Sequence, residues 1–154
     1  MSNQLTINGL QLPTSYCTLA AKYKDLDGFC NLKLKNPKDS FGHPLECELA
    51  QIFSNEQKLK EITDSLNKYF VPDGYYGELD NNNTDPESLK DITGFKKIVC
   101  FGIAGDGSQF CFDFRDCANV PTVIWWEDDH WRKISNSPED FILFYFILLF
   151  VDSK

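Results

Sequence analysis

The sequence predicts an α+β fold in which an antiparallel sheet packs with helices, in the order αβα, then βββ, then α. Three observations carry this. Two segments before residue 70 repeat apolar residues at helical spacing, and three strand-like runs separated by short turns lie between Lys97 and Trp126. A capped apolar segment follows them. Consecutive strands with short turns imply an antiparallel meander, because parallel neighbours need a long crossover.

The first helix is signalled by Leu12, Tyr16, Leu19, Ala20 and Tyr23, with Pro13 in the first turn, where its missing N–H costs nothing. Its end is expected near Asp27-Gly28. Phe29 to Leu34 then alternates apolar and polar residues like a half-buried strand, until Asn36-Pro37 breaks the pattern. In the second helix Ser54 and Gln57 have capping-box spacing, and Leu59, Ile62, Leu66 and Tyr69 or Phe70 form one stripe. Residues 71–94 are rich in Asp, Asn, Gly and Pro, and 80–88 read as an exposed loop. The strand-like runs are Ile98 to Ile103, Gln109 to Phe114 and Val120 to Trp126. Ser137, Pro138, Glu139 and Asp140 suit a helix start as N-cap, first-turn proline and two acids against the dipole, launching an apolar helix from Phe141. That helix is apolar nearly all round, so it must be covered on more than one side, by the sheet and first helix or by a partner.

A chain of 154 residues suits one domain, 1–154, with one core. Its 42% hydrophobic share, with 13 Phe, 6 Tyr and 3 Trp, is too rich for disorder. The net charge of -8 and pI near 4.7 argue against direct nucleic-acid binding, which draws on clustered Lys and Arg, and point to a basic partner. The same charge also serves simply to keep a small domain soluble. Met1 to Pro13 lacks the basic start and apolar run of a signal peptide, so a cytoplasmic location is expected. Phe141 to Val151 is shorter than the about 20 residues a membrane span needs.

Six cysteines, Cys17, Cys30, Cys47, Cys100, Cys111 and Cys117, sit mostly inside apolar patterns, which favours reduced, buried thiols over a disulfide framework. No two have CxxC spacing, and only His43 and His130 are available to join them on a metal, so no metal and no cofactor are expected. The chain has no HExxH, GxSxG, Walker or Rossmann motif. Gly102 to Gly107 is glycine-rich but joins two strands, which suits a hairpin turn with Asp106-Gly107 at positive φ rather than a phosphate cradle. Asp80 to Asp91 has the length of a calcium loop, but Asp85 and Pro86 stand where such loops turn on glycine. Asn82-Asn83-Thr84 is a glycosylation sequon that a cytosolic chain does not expose to that machinery. Cys111 with His130 is the one nucleophile pairing the hairpin order allows, against the commoner alternative of a buried structural cysteine. No catalytic residue is assigned. A protein-binding patch is expected where Trp125, Trp126 and Trp131 flank Glu127, Asp128 and Asp129, with Glu78, Asp80 and Asp85 on the acidic loop adding to it. The competing reading puts Trp125 or Trp126 in the core and leaves the acids as a solvated turn.

Leu12-Pro13-x-x-Tyr16 followed by Asp27-Gly28 resembles the LPxxY opening and glycine turn of the SUKH superfamily. That group includes yeast cell-wall and killer-toxin-resistance regulators and many bacterial immunity proteins. The likeness continues through Phe101-Gly102, Gly105-Asp106-Gly107, Phe112-Asp113, Val120-Pro121-x-Val123 with Trp126, and Ser137 with Phe141. Members often carry an extra helix before LPxxY, whereas eleven residues precede the motif here, and residues 71–94 are unusually acidic and Asn-rich. The resemblance implies a mixed fold with these motif residues mainly as scaffold. It also implies, for bacterial members, a function in neutralising a cognate toxin, often a nuclease, by protein binding without catalysis. For members like the eukaryotic ones it implies a signalling or scaffold module with several partners.

Overall fold

The computed structural model describes residues 4–45, 48–66, 95–116, 119–127 and 130–145, the side chain of His130 excepted. It opens on a hairpin of β1 (Thr6–Ile7) and β2 (Leu10–Gln11), turned by Asn8 and Gly9 at φ 53° and 82°. Both residues tolerate the left-handed backbone that a two-residue hairpin demands. Helix α1 (Thr14–Ala21) follows Pro13 and buries Tyr16, Cys17, Leu19 and Ala20. It stops earlier than its apolar spacing suggests. A single 3-10 turn, Lys24–Leu26, carries the chain to Asp27 and Gly28, both at positive φ. Gly28 is required there, since a Cβ would sit 1.9 Å from the carbonyl oxygen of Ile52.

Strands β3 (Phe29–Leu32) and β4 (Leu49–Ile52) precede α2 (Glu56–Asp64). The cap of α2 is Asn55, not Ser54: the Asn55 side chain accepts from the Lys58 N–H at 3.0 Å. Strands β5 (Ile98–Ala104), β6 (Gln109–Asp113), β7 (Thr122–Glu127) and β8 (His130–Ser135) then lead to α3 (Pro138–Ile142). Helix α3 starts as expected, with Ser137 accepting from the Asp140 N–H at 3.1 Å. The stretch expected to continue it, from residue 146 on, lies outside the described residues. Among the described residues, β3 to β8 form one antiparallel sheet in chain order, so the fold is the α+β arrangement expected. The hairpin, β4 and β8 fall outside the expected αβα-βββ-α order. β4 is only four residues and does not alternate, and β8 mixes charges into its apolar positions.

The sheet is buried on both faces, which explains the unbroken apolar run of β5. One face carries Val99, Phe101, Phe110, Phe112, Val123, Trp125 and Ile134 against Tyr16, Leu19, Phe141 and Tyr145. The other carries Ile98, Cys100, Cys111, Ile124 and Trp131 against Leu66 and Phe95. Burying side chains of this size contributes about 1.5–3 kcal/mol each. The β5–β6 register slips between Cys100 and Gly102, and helices α1 and α2 each fasten one side of this bulge. From α1 the Tyr16 hydroxyl lies 3.0 Å from the Phe101 carbonyl, donates to the Phe53 carbonyl at 2.5 Å and accepts from the Phe53 N–H at 3.0 Å. From α2 the Thr63 hydroxyl accepts from the Cys100 N–H at 3.0 Å.

Both outer strands are partly covered. The Ser40 N–H donates to the Ile134 carbonyl beside β8, and the Lys35 N–H donates to the Phe144 carbonyl beyond β3. The loop over β8 is held by Arg132, whose guanidinium meets the Asp39 carboxylate at 2.9 Å and the Pro44 carbonyl at 2.5 Å. Asp39 also accepts from the N–H groups of Phe41 and His43 at 2.8 and 3.0 Å.

Candidate functional site

The β7–β8 end is built by direct cross-strand pairs: Trp125 opposite Arg132, Trp126 opposite Trp131, and Glu127 opposite His130. Because side chains alternate along a strand, Trp125 and Trp126 point to opposite faces. Trp131 is 1% exposed, packed edge-on against Trp126 at 5.4 Å and Phe95 at 6.3 Å. Trp125 is also buried. It stacks on Phe110 at 6.2 Å, its indole N–H donates to the Ser108 hydroxyl at 2.7 Å, and the Arg132 guanidinium lies 5.8 Å from its ring. Two of the three tryptophans expected as surface anchors are therefore core residues, because both faces of the sheet are covered: Trp125 lies in the core that holds Phe110 and Phe141, and Trp131 in the one that holds Leu66 and Phe95. Trp126 is partly exposed.

Glu127 keeps a third of its side chain in solvent and is fixed by Arg132 at 2.9 Å. Arg132 itself is 8% exposed and shared with the fully buried Asp39. A cation enclosed between two carboxylates holds Glu127 in one place instead of leaving it to sample solvent. Asp128, Asp129, Glu78, Asp80 and Asp85, the other acids of the expected patch, lie outside the described residues.

The motif residues occupy structural positions. Leu12 and Pro121 are buried, and Pro13 stands at the start of α1. Asp106 accepts from both the hydroxyl and the N–H of Ser108, at 2.6 and 2.9 Å, and these bonds hold its carboxyl below the usual 3.8. Ser108 then receives the Trp125 indole, so the turn and β7 are tied together. Only Gly107, at φ 91°, supplies the left-handed residue of this turn, while the Gly105 N–H donates to the Glu48 carbonyl at 3.2 Å. Asp113 holds the Arg115 side chain at 3.0 Å.

Burial pushes the Cys111 thiol well above its ordinary value, with the Cys100 thiol and Asp113 adding to the shift. A thiol kept protonated in the core is not poised as a nucleophile. The His130 side chain named beside it lies outside the described residues. Cys17, Cys30 and Cys100 are free, as is Cys111, while Cys47 and Cys117 lie outside the described residues. Among the described residues no three His, Cys, Asp or Glu side chains gather into a cluster suited to a metal ion, and no helix is long and apolar enough to cross a membrane.

A surface feature missed by sequence reasoning lies at the opposite end of the sheet. Leu26 and Phe29 are 59% and 53% exposed, beside a groove of about 680 Å³ lined by Lys24, Asp27, Gln51, Phe53, Asn55 and Lys58. Apolar residues flanking Asp27-Gly28 were the available signal, but strand alternation alone does not say which face is left open.

No curated protein and no solved structure matches the chain. The model of the SMI1/KNR4 family, SUKH-1, matches residues 4–143, nearly the whole length. That span takes in the LPxxY segment, the Gly-Asp-Gly turn, the sheet and the capped start of α3, and the chain belongs to this family.

Proposed function

We propose that this protein is an immunity protein, binding a cognate toxin domain in the cytoplasm and blocking it through acidic surface set against a basic active-site face. Family membership supports a role in protein binding. The observation that carries the finer reading is the distribution of charge. Of 23 acidic residues, 15 lie in residues 67–154, against 8 of the 15 basic ones, so the excess negative charge belongs to the second half of the chain, shared between residues 67–94 and the part that holds β5 to β8. Glu127 stands at the end of β7, held in place by Arg132 and open to solvent on one side. A field of one sign speeds capture of a partner of the other and disfavours wrong partners. Binding without catalysis fits a fold whose motif residues are occupied in turns, caps and core.

The test is co-expression with the toxin encoded beside the gene, together with pull-down of that toxin. Protection of growth and a stable complex are expected; neither protection nor complex overturns the reading. The alternative is a signalling or scaffold module with several cellular partners. Exposed Leu26 and Phe29 beside the groove favour it, since an apolar, nearly neutral surface suits partners that the acidic side does not. Recovery of several unrelated partners, lost together in Phe29→Ser, would select that alternative.

A further inference from the structure

Cys100 on β5 and Cys111 on β6 are direct cross-strand partners, and both are free thiols. Facing residues of an antiparallel pair hold their Cα atoms about 4.5–5.5 Å apart. That lies inside the about 4.4–6.8 Å that a disulfide spans. Both side chains occupy the same face, walled by Ile98, Ile124, Trp131, Leu66 and Phe95, and the Cys100 thiol is otherwise engaged only weakly, 3.8 Å from the Gly102 carbonyl. Neither of the other described cysteines shares this pocket: Cys17 belongs to the core of the opposite face, and Cys30 is bonded to the Leu49 carbonyl.

We propose that Cys100 and Cys111 form an oxidation site, two thiols that close to a cross-strand disulfide and lock β5 to β6 beside the bulge. Two S–H bonds break and one S–S bond forms. The two protons and two electrons pass to the oxidant, which for a diazene such as diamide is reduced to the hydrazine. Position sets the consequence. The Cys100 N–H is held by Thr63 and the next carbonyl, of Phe101, is approached by Tyr16, so the covalent link falls where both helices meet the sheet. Burial sets the rate. Cys100 and Cys111 are 1% and 0% exposed, so oxidant reaches them through states in which β5 and β6 have opened. Once the sheet closes, the same burial shields the disulfide from reductant.

The test uses the full-length protein, incubated with diamide in buffer and in urea below the unfolding midpoint, then alkylated, digested and mapped by mass spectrometry. A peptide pair joined through Cys100 and Cys111 is expected, forming faster in urea and leaving a species with a higher unfolding midpoint. Cys111→Ala removes the cross-linked pair, and Cys100→Ala does the same if the first variant fails to fold. Recovery of both residues as alkylated thiols after oxidation in urea overturns the proposal. So does a cross-link joining either of them to Cys47 or Cys117 instead.

Discussion

Tyr16 shows how much one hydroxyl does in this fold. Buried with its ring edge-on to Phe101 and Phe112, it bonds to Phe53 at the end of β4 and approaches the Phe101 carbonyl in the bulge of β5. Tyr16→Phe keeps the ring and removes these bonds, so an expected loss of about 1–3 kcal/mol is read from the urea midpoint at unchanged slope. Tyr16 was legible in the sequence as part of an apolar stripe and of the LPxxY motif. Its acceptors were not, because they lie 37 and 85 residues away and are backbone atoms. Asp106 offers a test in pH. Its bonds to Ser108 lower its folded-state pKa, so its contribution is present above the unfolded value and lost as pH falls through the folded one. Asp106→Asn still accepts from Ser108 but does not titrate. Thermal midpoints followed from neutral pH into acid are expected to fall less steeply below about pH 4 in this variant than in the parent.

At the scale of elements, the parts that sequence reasoning recovered are those whose signals are local. The meander from β5 to β7 follows from apolar runs and a Gly-Asp-Gly turn, and α3 from its cap, proline and acids. What escaped depends on distant partners. β4 earns its strand geometry from β3 and β5 on either side, and β8 becomes a strand because β7 supplies its ladder and Asp39 neutralises its buried arginine. The first hairpin is the exception, a local signal that sequence reading passed over: Asn8-Gly9 stands between Ile7 and Leu10 as a two-residue turn. The fate of the tryptophans was decided by distant partners too, Phe110 and Ser108 for Trp125 and Phe95 for Trp131, with Arg132 of β8 set beside the Trp125 ring. Arg132→Met tests the link between β8 and Asp39 by stripping Asp39 of its cation while it remains buried. A loss of about 3–5 kcal/mol is expected, with partial recovery on adding Asp39→Asn, measured as a double-mutant cycle in urea. At the other helix, Asn55→Ala is expected to lose about 1 kcal/mol and Ser54→Ala much less, because Asn55 holds the cap.

The whole molecule divides its charge unevenly, and that division bears on how it meets a partner. The β7–β8 end carries Glu127, Asp128 and Asp129 in sequence, while Arg132 draws the Glu127 carboxylate toward itself. Reversing Glu127 to lysine would set two cations together and disturb the buried Asp39 network, so the informative variant is Glu127→Gln combined with Asp129→Lys. Electrostatic steering raises association rates well above the neutral value and fades with salt. With the cognate toxin as partner, the double variant is expected to associate about tenfold more slowly at low ionic strength. Its rate should also depend less on salt, while its thermal midpoint stays near that of the parent. An unchanged rate and salt dependence would remove this end from the interface. The apolar face at Leu26 and Phe29 would then become the place to look, because binding through that surface changes dissociation rates and responds little to salt.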